Sequence, residues 1–349
     1  MDTEIYKKTT SMILLPTIRE ISDNLYSAVF DLMKLIPGKY ILDSAENEGI
    51  LKPNGKVVES SSGTFGLALA LLCSERGYDL TLVSDPVMNE SLKSRIEELG
   101  AKVIIVDKPE KFGGIQQARL NKLYEIIKKN PNALWPKQYE NEKNPKSYKS
   151  LADFLLKTVK DFDYLVTAVG SGGSSCGTYE FLKPNIPNLK LVGVDSLNSV
   201  LFGREYKKRY LRGLGGSIVP ENITHKMYDS VHWISDAEAF RSTRNLHREH
   251  QLYMGPTSGA VYMVADWLSK KYTDKKIVGI FADKGYRYHD TAYSDEWIKQ
   301  LNLDIKSIPK DPKKVSCPQE AGPSWSYMDW NHRSYEEVTG VCPPRSKKC

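Results

Sequence analysis

Residues 164–177 read Tyr-Leu-Val-Thr-Ala-Val-Gly-Ser-Gly-Gly-Ser-Ser-Cys-Gly, an apolar strand running straight into a glycine-rich loop. A short apolar run of this kind reads as a buried strand of a parallel sheet. Gly170, Gly172, Gly173 and Gly177 let the backbone turn tightly and approach an anion closely. Ser171, Ser174 and Ser175 add hydroxyl donors, and the residues from Thr178 onward can open a helix whose N-terminus favours negative charge. No Gly-Lys-Ser/Thr follows, and the spacing is a poor match to the dinucleotide fingerprint. Two readings stand, a plain tight turn and a phosphate cup. The serine density and the strand before the loop favour the cup.

The same strand-then-helix rhythm runs from about residue 28 to 300. Strands are expected at 56–59, 80–84, 102–106, 189–194 and 276–281. Helices are expected at 66–75, at 89–99 with Gly100 closing it, at 114–129 and at 148–160, with a polar connection over 130–147. Such alternation implies an α/β fold with parallel sheets wound on both faces, here as two arrays joined near residues 140–150. Ligands of open α/β sheets bind beyond the carboxyl ends of the strands, where residues 170–177 lie. Past about residue 305 the prolines at 309, 312, 318, 323, 343 and 344 break any periodicity. An irregular C-terminal extension, wrapped on the surface or on a partner subunit, is expected there.

Bulk properties exclude several classes. The net charge of +6 is spread along the chain, so Lys207-Lys208-Arg209 and Lys347-Lys348 read as solvated faces rather than nucleic-acid contacts. No stretch approaches the roughly 18 apolar residues of a membrane span. The first residues lack a signal-peptide pattern, so a cytoplasmic setting is expected. The five cysteines match no zinc spacing, and His247 and His250 sit in what reads as an exposed helix, so no metal is expected.

A second strand–loop–helix junction lies earlier. Ser60, Ser61, Ser62 and Thr64 offer hydroxyls around Gly63 and Gly66, just before an apolar helix. It could serve as a simple N-cap with surplus serines. Two such cups suit a ligand with two anionic groups, or a cofactor phosphate beside a substrate carboxylate.

With these residues the chain resembles the pyridoxal-phosphate enzymes of the tryptophan-synthase-β fold (fold type II), and within them the cysteine synthase/cystathionine β-synthase group. The resemblance spans roughly residues 14–298. Residues 59–66 are similar to the family's substrate-carboxylate loop and residues 170–177 to its cofactor-phosphate loop. Residues 46–55, the segment at Gln138, residues 213–220, the Gly255-Pro-Thr-Ser-Gly-Ala segment and the Ala282-Asp-Lys-Gly segment resemble further family stretches in the expected order.

The resemblance implies two doubly wound parallel-sheet domains with the cofactor site between them. Residues 28–147 would form the smaller, carboxylate-binding domain, 1–27 and 148–304 the larger, phosphate-binding domain, and 305–349 the irregular extension. Lys34 is implied as the catalytic Schiff-base lysine, thirty positions before Thr64, ahead of Lys39, Lys52 and Lys56. Its apolar surroundings would lower its pKa and help it act as nucleophile and base. Cofactor contacts would come from Lys34, Thr64, Gly170, Ser171, Gly172, Gly173, Ser174, Ser175, Gly177 and Lys284. Substrate contacts would come from Ser60, Ser61, Ser62, Gly63, Thr64, Gln138, Thr257 and Ser258.

Departures mark a divergent member. Met33, Leu35 and Ile36 replace the usual polar neighbours of the lysine, Thr64 replaces an asparagine, and Lys284 stands where a serine usually meets the pyridine nitrogen. An ammonium there would keep the ring a restrained electron sink; alternatively Lys284 points to solvent and Thr257 or Ser258 approaches the ring.

The implied activity is β-elimination or β-replacement on O-acetyl- or O-phosphoserine through an α-aminoacrylate, with sulfide or a thiol as nucleophile, in a homodimer. The alternatives are an amine nucleophile giving a diaminopropionate-type product of specialised metabolism, and a non-catalytic binding protein of the same fold.

Overall fold

The structure is a computed structural model that describes residues 5–111 and 114–345. The strands are β1 (Thr17–Ser22), β2 (Leu25–Val29), β3 (Lys56–Ser60), β4 (Asp79–Ser84), β5 (Lys102–Ile105), β6 (Tyr164–Ala168), β7 (Lys190–Ser196), β8 (Ser230–Ile234), β9 (Ile277–Phe281), β10 (Lys313–Lys314) and β11 (Ser326–Asp329). The chain divides into two compact units, one of residues 1–14 and 32–147, the other of 15–31 and 148–349.

In the smaller unit β3, β4 and β5 form a parallel sheet in that order. Successive side chains of a strand face opposite ways, and the core follows this rule. Val57 and Leu82 join the cluster of Leu35, Leu42, Phe65 and Leu69, while their neighbours Val58 and Val83 join Leu123 and Trp135. Both faces of the sheet are therefore covered. The helices Leu35–Asn47 and Thr64–Arg76 supply most of the first cluster. The N-terminal segment belongs to this unit, whereas residues 1–27 were all expected in the larger one. Thr10 holds it there, its N–H and Oγ1 both donating to the Glu75 carboxylate, at 2.9 and 2.7 Å.

The larger unit holds eight strands in the order β1-β2-β9-β6-β7-β8-β11-β10. The five from β2 to β8 are parallel to their neighbours, β1 is antiparallel to β2, and β11 is antiparallel to β8. Every residue of β9 is buried, as a central parallel strand requires. The helix Pro256–Lys271, buried from Pro256 to Ala265, packs on β9. Beyond residue 304 the described chain is mostly irregular, yet β10 and β11 extend the sheet and Trp325 and Trp330 are buried in it.

Candidate active site

The larger unit carries the glycine-rich loop expected to be a phosphate cup. After β6 the chain turns at Gly172, with φ 82°, and at once begins the helix Gly173–Leu182. The Gly172 N-cap makes no side-chain cap bond, and the first-turn N–H groups of a helix have no intrahelical acceptor, an arrangement that suits an anion. The glycines are required by close approach. A Cβ on Gly170 would lie 2.8 Å from the Gly213 carbonyl oxygen, and one on Gly172 would lie 2.6 Å from that of Asn222. Ser171 Oγ accepts from Gly173 N at 3.4 Å, which fixes the turn. Ser174 is half-buried, whereas the Ser175 hydroxyl meets the Gly172 carbonyl at 3.2 Å and the Tyr228 hydroxyl at 2.7 Å. Ser175 thus anchors the helix from within.

The same unit places Thr257 and Ser258 at the start of Pro256–Lys271, both buried. Ser258 Oγ is a buried hydroxyl with no hydrogen-bond partner among the described residues. Thr257 Oγ1 donates to Asp283 Oδ1 at 3.5 Å and Tyr288 Oη to Asp283 Oδ2 at 2.8 Å. Burial raises the Asp283 pKa. Lys284 is half-buried, its backbone N–H donating to Asp31 O at 3.2 Å. Asp283 was not among the sequence-derived site residues.

The smaller unit holds the other junction. β3 ends in Glu59 and Ser60, and Thr64 opens the next helix after Gly63. Ser61 Oγ accepts from Gly66 N at 3.1 Å and Gly63 N at 3.4 Å, closing the loop on itself. Ser62, Gly63 and Thr64 remain half-buried. Glu59 is buried and accepts from Ser60 N (2.7 Å), Trp135 Nε1 (3.1 Å) and Gln138 N (3.4 Å). Desolvation pushes its pKa up to about 7 against those donors. Gln138 is thereby brought to the loop. Arg119, which the sequence reading passed over as part of an amphipathic helix, donates to Ser60 Oγ from Nε (3.0 Å) and Nη2 (2.8 Å) and to Asp85 Oδ2 from Nη1 (2.7 Å).

Lys34 occupies the N-cap position of the helix Leu35–Asn47 without a side-chain cap bond, between buried Met33 and Leu35. Desolvation lowers its pKa to about 8. A neutral amine is the form that attacks a carbonyl, and this environment favours it.

These features define a class first: an α/β protein of parallel sheets whose strands run into glycine- and serine-rich loops, with a desolvated lysine at the start of a helix. The chain belongs to the pyridoxal-phosphate-dependent enzyme family, whose sequence profile matches residues 33–283. Among solved structures it is similar to a hydrogen sulfide-producing enzyme of Fusobacterium nucleatum, at 26% identity and a TM-score of 0.77, over 82% of this chain and 99% of that one. It is also similar to an O-acetylserine-dependent cystathionine β-synthase of Helicobacter pylori, at 25% identity and 0.75, over 82% and 98%. A cysteine synthase of Entamoeba histolytica shares the fold at 23% identity and 0.77, over 87% and 98%.

The residues fit the cofactor of that family. A glycine cradle that a Cβ would fill, an uncapped helix N-terminus and the orphaned Ser258 hydroxyl suit a phosphate and a polar ring. Among the described residues no helix is long and apolar enough to cross a membrane.

Proposed function

We propose that this chain catalyses β-replacement on an O-activated serine, O-acetyl- or O-phosphoserine, with sulfide or a small thiol as nucleophile. The observation that carries the reading is Lys34, an amine desolvated to a pKa of about 8 inside the matched family region. Similarity to enzymes described as O-acetylserine-dependent and hydrogen sulfide-producing supports the donor and the sulfur chemistry.

When bound, pyridoxal phosphate supplies the electron sink that lets the α-proton and the β-substituent leave. The chain's own residues bind and orient. Residues 170–177 would hold the phosphate through backbone N–H groups and Ser171 and Ser174, and Lys34 Nζ would hold the cofactor. Lys34 Nζ would accept the α-proton of the substrate and hold it for return, a task suited to a pKa near the working pH. Residues 60–64 and Gln138 grip the substrate carboxylate with hydroxyl, amide and helix-terminus donors, which fixes the α-carbon and keeps water out. The functional unit is proposed to be a homodimer acting on a small amino acid.

The test mixes purified protein with each O-activated serine and, in turn, sulfide, homocysteine-type thiols and 2,3-diaminopropionate-forming amines, with products read by mass spectrometry. The expected product carries a new C–S bond at the β-carbon. A product with a C–N bond would replace the sulfur reading, and a colourless protein that takes up no cofactor would overturn it altogether. Sedimentation at graded concentrations tests the dimer.

A further inference from the structure

We infer that Glu59 is a positioning residue that sets Gln138 and the loop after β3 for the substrate carboxylate, and that a proton on Glu59 loosens this grip. The inference rests on the proposed role of residues 60–64 and Gln138 in holding that carboxylate.

Geometry within the smaller unit carries it. The segment before Gln138 runs beside β3, with Val58 N donating to Leu134 O and Leu134 N to Lys56 O, both at 2.8 Å. It then turns at Lys137, whose φ of 53° lies in the left-handed region that residues other than glycine rarely adopt. One carboxylate clasps both sides of that turn. Glu59 Oε1 accepts from Trp135 Nε1 at 3.1 Å, and Glu59 Oε2 accepts from Gln138 N at 3.4 Å. Oε1 also accepts from Ser60 N at 2.7 Å, where β3 passes into the loop. Strained backbone persists where its surroundings over-determine it, and here the contacts converge on Glu59.

A proton on this carboxylate has one favoured place. Oε1 carries two of the bonds, and Oε2 carries the single, longer one. A proton on Oε2 would face the Gln138 N–H, two donors with no acceptor between them. The bond that fixes Gln138 is therefore the first to go. The charged groups around Glu59 come from two elements. Arg119, on the helix Gly114–Lys129, favours the carboxylate form, while its own fork is held by Ser60 Oγ and Asp85 Oδ2. Lys137 Nζ, on the turn itself, lies 4.6 Å over the Trp135 ring. Burial works against them and against the three donors, and it brings the Glu59 pKa to about 7. All six histidines lie in the other unit. Glu59 thus supplies the smaller unit with a carboxylate that closes the clasp as pH rises through neutrality.

The experiment titrates the full chain, loaded with pyridoxal phosphate, with L-serine, which carries the carboxylate but a poor leaving group. The Kd is read from the change in the cofactor absorption band at a series of pH values. Each is compared with the Kd of Glu59→Gln, which keeps the shape and cannot ionise, so effects of Lys34 and of the serine amine cancel in the ratio. Near pH 6, where about nine in ten Glu59 side chains are protonated, the two proteins are expected to bind serine equally. Near pH 8 the variant is expected to bind about tenfold more weakly, its cofactor band without serine unchanged. A ratio that is the same at both pH values reduces Glu59 to a structural contact and overturns the inference. Trp135→Phe gives a second reading, since it removes one donor to the carboxylate. The pH at which serine binding tightens is then expected to move up; a midpoint that stays in place overturns the inference even where Glu59→Gln does not fold. A wild-type band that ignores L-serine at every pH would overturn the proposed function and this inference with it, a distinguishable result.

Discussion

An amine reacts with a carbonyl only in its neutral form, so with Lys34 as the proposed Schiff-base lysine its pKa sets the pH at which the chain takes up cofactor. With a pKa of about 8, about one amine in ten is neutral at pH 7, against fewer than about one in a thousand for an ordinary lysine. The rate of cofactor uptake by the stripped protein is therefore expected to rise with pH and level off just above about 8. Stopped-flow absorbance checks this; a rate still climbing toward 10.5, the ordinary lysine value, would contradict it. Arg119 works at the same scale. Its side chain is 13% exposed and Asp85's is 6%, so this is a nearly dry ion pair that also holds Ser60. Arg119→Ala leaves the Asp85 charge buried and is expected to cost about 3–5 kcal/mol in a denaturant melt. Arg119→Lys keeps the charge, but a single ammonium does not reproduce the fork that spans Ser60 and Asp85. Its expected effect is a higher KM for the amino-acid substrate with the cofactor absorption unchanged.

Two helix starts show how elements are pinned. Gly172 precedes Gly173–Leu182 with positive φ and no room for a side chain, so Gly172→Ala strains the backbone by about 1–3 kcal/mol and distorts the cup. Weaker retention of pyridoxal phosphate on dialysis is the expected result. The helix Asp236–His250 opens with a capping box between Ser235 and Glu238. Ser235→Ala should cost about 1 kcal/mol. Glu238 also accepts from Trp325 N at 2.7 Å, tying the helix to the C-terminal segment. Glu238→Ala therefore loses the cap and strands a buried N–H, adding about 1–3 kcal/mol. Thermal melts of the two variants check the order. The capping box shows as Ser235-Asp-Ala-Glu238 in sequence, and the glycine loops and the strands before them were equally legible because their signals are local. β1 was not. Its burial alternates between exposed and half-buried, so no apolar pattern marks it. Nor was the buried cluster around Asp283, because it depends on Thr257 and Tyr288 meeting that carboxylate in space.

At the scale of the molecule, the alternation of strands and helices was enough to read parallel α/β sheets. The far edge of the larger sheet was illegible, because β8 pairs with β11 across a long stretch of proline-broken chain, and proline hides periodicity without preventing short strands. That pairing has reach. Trp330, fully buried, packs edge-on against Phe202 at 5.1 Å, and Phe202 against Tyr228 at 5.0 Å. Tyr228 Oη then meets Ser175 inside the phosphate-cup helix at 2.7 Å. The C-terminal segment thus supports the cup through one continuous packed row. Removing residues 305–349 would bare the β8 edge, a template for pairing with other chains, and would take away Trp325 and Trp330, each burying of the order of 150–250 Å². The truncated chain is expected to bind apolar dyes, to associate in a concentration-dependent way and to lose pyridoxal phosphate faster than the full chain. Trp330→Ala separates the two effects, since it keeps β11 on the edge but breaks the row; cofactor loss without association is its expected phenotype. A truncated chain that neither associates nor releases cofactor faster would show that the segment merely covers the sheet.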